Sequence, residues 1–244
     1  MAEPGGRPAF YAARSGGWRG WWTVLHPPYT AWHLSYVVIG AALAPRVDGG
    51  RLLATLVAFF FAVGVAAHAL DELRGHPLRS GVPDRVLAVA GAVGLASAVA
   101  IGVAGLTRVG PVLAPFILVG PVLVLGYDLE LFGGRLHTDL WFALSWGAFP
   151  LLTGYVAQVG RLGAAAMIGA AGAATLAHAQ RSLSTPARLV RRRVSRVDGA
   201  LAFDDGTVLA LDDQVLLRPL ERALRSLSWS LVLLAVALAT SRLL

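Results

Sequence analysis

The chain has 244 residues, 56% of them hydrophobic and 14% charged, with a mean hydropathy of +0.64. A soluble domain carries about 25% charged residues, so this much apolar surface excludes a single water-surrounded core and calls for lipid. Cysteine is absent, which excludes disulfides and thiolate metal sites, and the net charge of +7 is supplied by arginine without lysine; the positive-inside rule accounts for it, and no nucleic-acid partner is expected.

The N-terminal stretch MAEPGGRPAFYAARSGGWRGWWTVLHPPYT lacks an uninterrupted apolar run before a small-residue cleavage site, so no cleaved signal peptide is expected. Trp18, Trp21 and Trp22 with Arg19 read as an interfacial anchor leading into the first span. Apolar stretches of spanning length follow at 29–45, 52–71, 85–106, 109–127, 139–159, 162–180 and 226–241, which predicts seven transmembrane helices. Gly110, Pro111, Pro115, Gly120 and Pro121 fall in one of them, as membrane helices tolerate. The Gly-Ala run at 169–174 offers a surface on which helices approach closely.

The segment 183–225 differs in kind. An arginine run (Arg188, Arg191, Arg192, Arg193, Arg196) leads into VDGALAFDDGTVLALDD, where Asp204-Asp205-Gly206 between alternating apolar runs predicts a small β-hairpin packed on the membrane face. Attraction to anionic headgroups accounts for the arginines. The expected fold is therefore all-α, a polytopic transmembrane helical bundle of about seven spans with a small cytoplasmic β-hairpin insertion. Its parts are a cytoplasmic segment with interfacial tryptophans (1–28), the bundle (29–182), the basic segment (183–225) and a last transmembrane helix (226–244).

With the N-terminus inside, every arginine except Arg46, Arg51, Arg108, Arg161 and Arg242 lies at the inner side. This predicts a multi-pass plasma-membrane protein with a cytoplasmic N-terminus and an external C-terminus. Every acidic residue except Asp48, and all six histidines, gather on or near the same side. Ionisable groups at membrane depth are costly and are kept mainly for function.

The sharpest cluster closes the second span, HALDELRGHPL. His68, Asp71, Glu72 and His76 stand at i, i+3, i+4 and i+8, one face of a helix for as long as it lasts. Two imidazoles and two carboxylates suit a divalent ion, oxygen ligands favouring Mg²⁺ or Mn²⁺ and imidazoles Zn, Fe or Mn; alternatively Arg74 and Arg79 pair the carboxylates in a capped helix end. A second cluster, YDLELFGGRLHTDLW, offers Asp128, Glu130, Arg135, His137 and Asp139, with Glu130 and His137 as ligand candidates and Asp139 equally a helix cap. A third, LAHAQRSLSTPAR, offers His178, Gln180 and Arg181. His33, in TAWHLSYVVIG, faces either a cavity or a hydrogen-bonding neighbour.

The order of these pieces resembles the UbiA-type intramembrane prenyltransferase family over roughly residues 20–190. HPPYTAWHLSYVVIGAALAP is similar to that family's first helix, and HALDELRGHPLRSGVPDRVLAVAGAVGLA to its second-helix motif, turn and third helix. GYDLELFGGRLHTDLWFALSWGAFPLLTGYVAQ resembles its fourth-to-fifth helix passage, and ATLAHAQRSLSTPAR falls where the family carries its second Asp-rich motif. The resemblance implies a helical intramembrane enzyme whose cytoplasm-facing cavity holds Mg²⁺ on a prenyl diphosphate while an acceptor takes the prenyl group. It casts Asp71 and Glu72 as metal-holding catalytic groups, with Arg74, Arg79 and Arg181 contacting a phosphate or polar head. The family's second motif has no Asp here, and seven spans stand where the family has nine.

Three readings stay open. The first is a UbiA-like transferase on a lipidic, isoprenoid substrate. The second keeps the scaffold but makes His68, Asp71, Glu72, His76, Glu130, His137 and His178 an Fe, Mn or Zn centre for redox or hydrolytic work. The third is a non-catalytic assembly or lipid-binding subunit whose hairpin captures a protein partner.

Overall fold

A computed structural model describes residues 17–244; of the segment expected over 1–28, residues 1–16 lie outside the described residues. A short helix, α1 (Gly17–Val24), leaves Trp18 73% exposed, as an interfacial anchor requires. Helix α2 (Pro27–Ala42) begins on proline, whose missing N–H is no loss in a first turn. In α3 (Gly49–Leu73) the Asp48 side chain caps the first turn by accepting from the Arg51 N–H at 2.9 Å. Midway α3 widens into a π-helical stretch, Phe60–Ala67.

Helix α4 (Asp84–Val109) stops at Gly110, whose φ of 101° suits glycine alone, and α5 (Pro111–Asp128) follows directly. Helix α6 (Asp139–Val159) is capped by Thr138 and contains a second π-helical stretch, Leu144–Ala148. Helix α7 (Ala164–Arg193) is followed by strands β1 (Ala200–Ala202) and β2 (Val208–Ala210), then by α8 (Asp213–Leu243), capped by Asp212. Each expected apolar stretch lies largely within one of these helices. Among the described residues five helices, α3, α4, α5, α6 and α8, are long and apolar enough to cross a membrane. Helix α2 has 16 residues, and the second half of α7 is polar.

One expectation changes. The boundaries drawn at 182/183 and 225/226 fall inside α7 and α8, because the arginine-rich stretches keep helical spacing and bury Ala187 and Arg191 on one and Leu217 and Leu224 on the other. The hairpin exists, with Leu201 opposite Leu209 and a turn closed by the Gly206 N–H on the Phe203 carbonyl. Every strand residue is exposed, and the strands, three residues long, are flanked by Asp198, Asp204, Asp205 and Asp212.

Helix α6 is the axis of the bundle. Of its most apolar stretch 61% is buried, against 17% for α4, which turns Val89 and Val93 outward. On one side Trp32, Tyr36, Leu151, Ala173, Ala177 and Leu231 join α2, α6, α7 and α8. On the other Phe59, Val63, Val124, Tyr127 and Trp146 join α3 and α5 to α6. In lipid the hydrophobic effect does not draw helices together, so close backbone approach carries the packing. A Cβ on Gly40 would lie 2.0 Å from the Leu151 carbonyl oxygen, and one on Gly154 2.2 Å from that of Val37. These reciprocal contacts lock α2 against α6, the two helices running parallel, with His33 beside Trp146 at one end and Asp48 beside Gln158 at the other.

Candidate functional site

The chain reverses between helices so that the ends of α3, α5 and α7 and the starts of α2, α4 and α6 meet at one end of the bundle. There they enclose a cavity of about 970 Å³. Seven arginines (among them Arg74, Arg79, Arg181, Arg188 and Arg191) line it against three carboxylates, Asp71, Asp128 and Glu130, so its field favours an anion. Five of the six histidines line it too: His26, His33, His68, His76 and His137.

The stripe read at the end of the second span divides, although His76 Nδ1 stays 3.8 Å from Glu72 Oε1. Asp71 lines the cavity, but Glu72, one residue and about 100° further round the helix, turns away and is fully buried. Its carboxylate accepts from the Leu78 and Ser80 N–H groups, each at 2.9 Å, and so holds the 74–83 loop. The helix ends at Leu73, so His76 sits in that loop with a φ of 52° and bonds Asp84 at 3.0 Å through Nε2. Glu72 is thus a structural carboxylate. Glu72→Ala would leave two N–H groups unpaired, at about 1–3 kcal/mol each. A several-degree drop in unfolding temperature is expected, with divalent-ion binding by the folded fraction unchanged; lost ion binding in folded protein would reverse the assignment.

The other sequence candidates are placed as follows. His68 stacks on His26 at 4.7 Å between ring centroids, and its Nδ1 lies 3.3 Å from the Gly64 carbonyl. Outside the spans, His26 is held well below the ordinary imidazole range, first by burial and then by the charges of His68, Arg192, Arg188 and Arg191. Arg74 pairs with Glu130 at 2.7 Å and also donates to the Leu129 carbonyl, tying the end of α3 to the loop after α5. Arg79 lines the cavity rim. His137 stacks on Tyr127 at 4.4 Å. Arg181 is committed: it donates to Asp139 at 2.5 Å and to the Tyr127 hydroxyl at 2.6 Å, and lies 5.0 Å over the Phe142 ring. His178 is exposed and does not line the cavity. Among the described residues no group of three or more His, Asp or Glu side chains is arranged to hold a metal ion.

Asp128, His33 and Gln180, which the sequence offered without a settled role, line the cavity, as do Ser184, Arg188 and Arg191. Asp128 is 8% exposed, lies near enough to Asp71 for their charges to interact, and keeps Oδ2 without a hydrogen-bond partner. His33 Nδ1 lies 2.8 Å from the Trp146 carbonyl, an acceptor only, so that nitrogen carries the proton and Nε2 keeps its lone pair. Trp146 belongs to the π-helical stretch of α6, where the normal hydrogen-bond ladder is disturbed. Gln180, Ser184, Arg188 and Arg191 recur at intervals of four and three residues along α7, a helical face legible in the sequence.

A second, mainly apolar cavity of about 470 Å³, walled by Phe59, Leu95, Ile117, Val124 and Phe149, runs toward the opposite end of the bundle, where Asp48, Arg51 and Arg108 also line it. Val63 and Trp146, one on each π-helical stretch, line both cavities, so the two meet there.

Fold and site together define an all-α bundle with helices apt for a membrane, a basic polar cavity at one end and an apolar cavity beneath it. No protein-family model, no curated protein and no solved structure matches the chain.

Proposed function

We propose that this is a UbiA-like integral membrane enzyme that transfers the prenyl group of an isoprenoid diphosphate, working at the cytoplasmic face of the plasma membrane. The observation that carries the reading is the junction at Val63 and Trp146, where a cavity rich in arginine meets an apolar one. An amphiphile with an anionic head and a hydrocarbon tail matches both halves at once. In this reading seven helices cross the membrane, with α2 and α7 completing the five longer spans. The arginine-rich end faces the cytoplasm by the positive-inside rule.

A divalent ion fits this site in a limited way. Mg²⁺ is commonly held by one or two carboxylates and completed by phosphate oxygens and water. Asp71 and Asp128 supply such a pair, with Asp128 Oδ2 unpartnered. They would hold the ion, which when bound neutralises the diphosphate and helps it depart. The carbon–oxygen bond to the diphosphate breaks as the acceptor nucleophile bonds the prenyl carbon, and the acceptor's proton passes to His33 Nε2. The rings of Tyr127 and Trp146, both buried, and of the partly exposed Phe142 keep water from the electron-poor carbon.

The test is consumption of geranyl, farnesyl or geranylgeranyl diphosphate by purified protein with Mg²⁺. Release of diphosphate with transfer to a membrane acceptor supports the reading; failure to bind or turn over all three overturns it.

A further inference from the structure

Burial leaves the α7 face of the polar cavity with an unusual arginine. Arg191 is 8% exposed, donates through Nε to the Ala187 carbonyl at 3.3 Å and lies 3.7 Å from Glu221 on α8. Its Nη1 is buried and has no hydrogen-bond partner among the described residues, and the residue lines the cavity. Attraction to lipid headgroups explains exposed arginines such as Arg196, whose side chain is 80% exposed, but not a buried one. The macrodipole at the end of α7 favours a cation there, yet asks for no burial. A guanidinium donor withdrawn from water and left unpaired costs free energy unless a ligand completes it. Its planar fork matches phosphate oxygens.

Arg191 does not stand alone. Arg188 precedes it by three residues and Arg192 follows it, and both line the same cavity. Asp71 lines the same cavity, near enough to feel the charges of Arg188 and Arg192. Gln180 adds a buried Oε1 with no partner among the described residues on the same helix. The cavity therefore combines carboxylates from α3 and α5 with a row of arginines along α7.

We propose that Arg188, Arg191 and Arg192 form a phosphate-binding site that works without a metal ion and takes the diphosphate group. It rests on the lipid diphosphate reading for the identity of the natural ligand but not for the chemistry of the site. The ligand class is an organic or inorganic diphosphate.

Equilibrium binding to the full-length protein in detergent, with inorganic pyrophosphate and with farnesyl diphosphate as probes, tests this. With excess EDTA both probes are expected to bind. Arg191→Gln and Arg188→Gln are each expected to weaken binding by about tenfold or more, whereas Arg196→Gln leaves it unchanged. Arg188 is only partly buried, so its variant serves if Arg191→Gln fails to fold. Binding that disappears with EDTA, unchanged affinity in folded Arg188→Gln, or an equal loss in Arg196→Gln would each overturn the site. If farnesyl diphosphate binds much more tightly than pyrophosphate, the lipid is the source. Equal affinities keep the arginine site and sink the lipid reading. Farnesyl diphosphate bound only with Mg²⁺, indifferent to the α7 arginines, sinks the site and keeps the lipid reading.

Discussion

Gly154→Ala is expected to destabilise the bundle by about 3 kcal/mol or more, at or above the upper end of the range for overpacking. The added Cβ would lie 2.2 Å from the Val37 carbonyl oxygen, a backbone atom that no rotamer change can move aside. Helices α2 and α6 would have to part, and Gly40 facing Leu151 would lose its own close approach in the same step. Gly40→Ala, with a contact of 2.0 Å, is expected to do as much. The double variant should cost less than the sum, because one separation relieves both clashes. Gly172 on α7 is the control: nothing lies within 4 Å of its Cβ position, so alanine there should be neutral or slightly stabilising through helix propensity. Thermal unfolding in detergent measures all four. A Gly154→Ala protein as stable as the parent would dismiss the packing argument. Because α2 also carries His33 to the Trp146 carbonyl, the damage should extend to the cavity.

The helical framework is legible in the sequence because lipid imposes a simple rule: long apolar runs must satisfy their backbones internally, and only helices do so within one segment. The hairpin is equally local, set by Asp204-Asp205-Gly206. Side-chain direction is less legible. The spacing of His68, Asp71, Glu72 and His76 assumes one unbroken helix. Arg74, with φ −88° and ψ 77°, ends it before His76 is reached. Asp71 and Glu72 are neighbours in sequence, yet one faces the cavity and the other the loop, as any two consecutive helical residues must diverge. Headgroup attraction suffices for the arginine run at the level of sequence, where its charge is visible and its burial is not. What marks Arg191 as inward is the continuation of α7 past Pro186, a residue that argues for an earlier stop. The π-helical stretches that carry Val63 and Trp146 to the junction of the cavities leave no mark that hydropathy can register.

Asp128→Asn is expected to lower turnover of a prenyl diphosphate by about a hundredfold or more while raising stability. Even groups that only orient metal ligands cost 10–100-fold when lost, and in the proposed reaction Asp128 is one of two carboxylates holding the ion. The stability change has the opposite sign to the usual loss of a buried polar group. Asp128 Oδ2 has no hydrogen-bond partner among the described residues, and the like charge of Asp71 is near, so the folded chain is burdened by the carboxylate. The amide removes the buried charge and its repulsion with Asp71, so the unfolding temperature is expected to rise. Unfolding measured beside turnover decides it: an Asp128→Asn protein that is less stable yet undiminished in activity would make Asp128 a structural residue. Glu72 supplies the contrast at the end of α3. Its two accepted hydrogen bonds mean that its removal should destabilise the fold. Two buried carboxylates at the same end of the bundle, one satisfied and one not, are thus expected to answer the same measurement with opposite signs, which separates a group that holds the fold from one that the fold holds for a ligand.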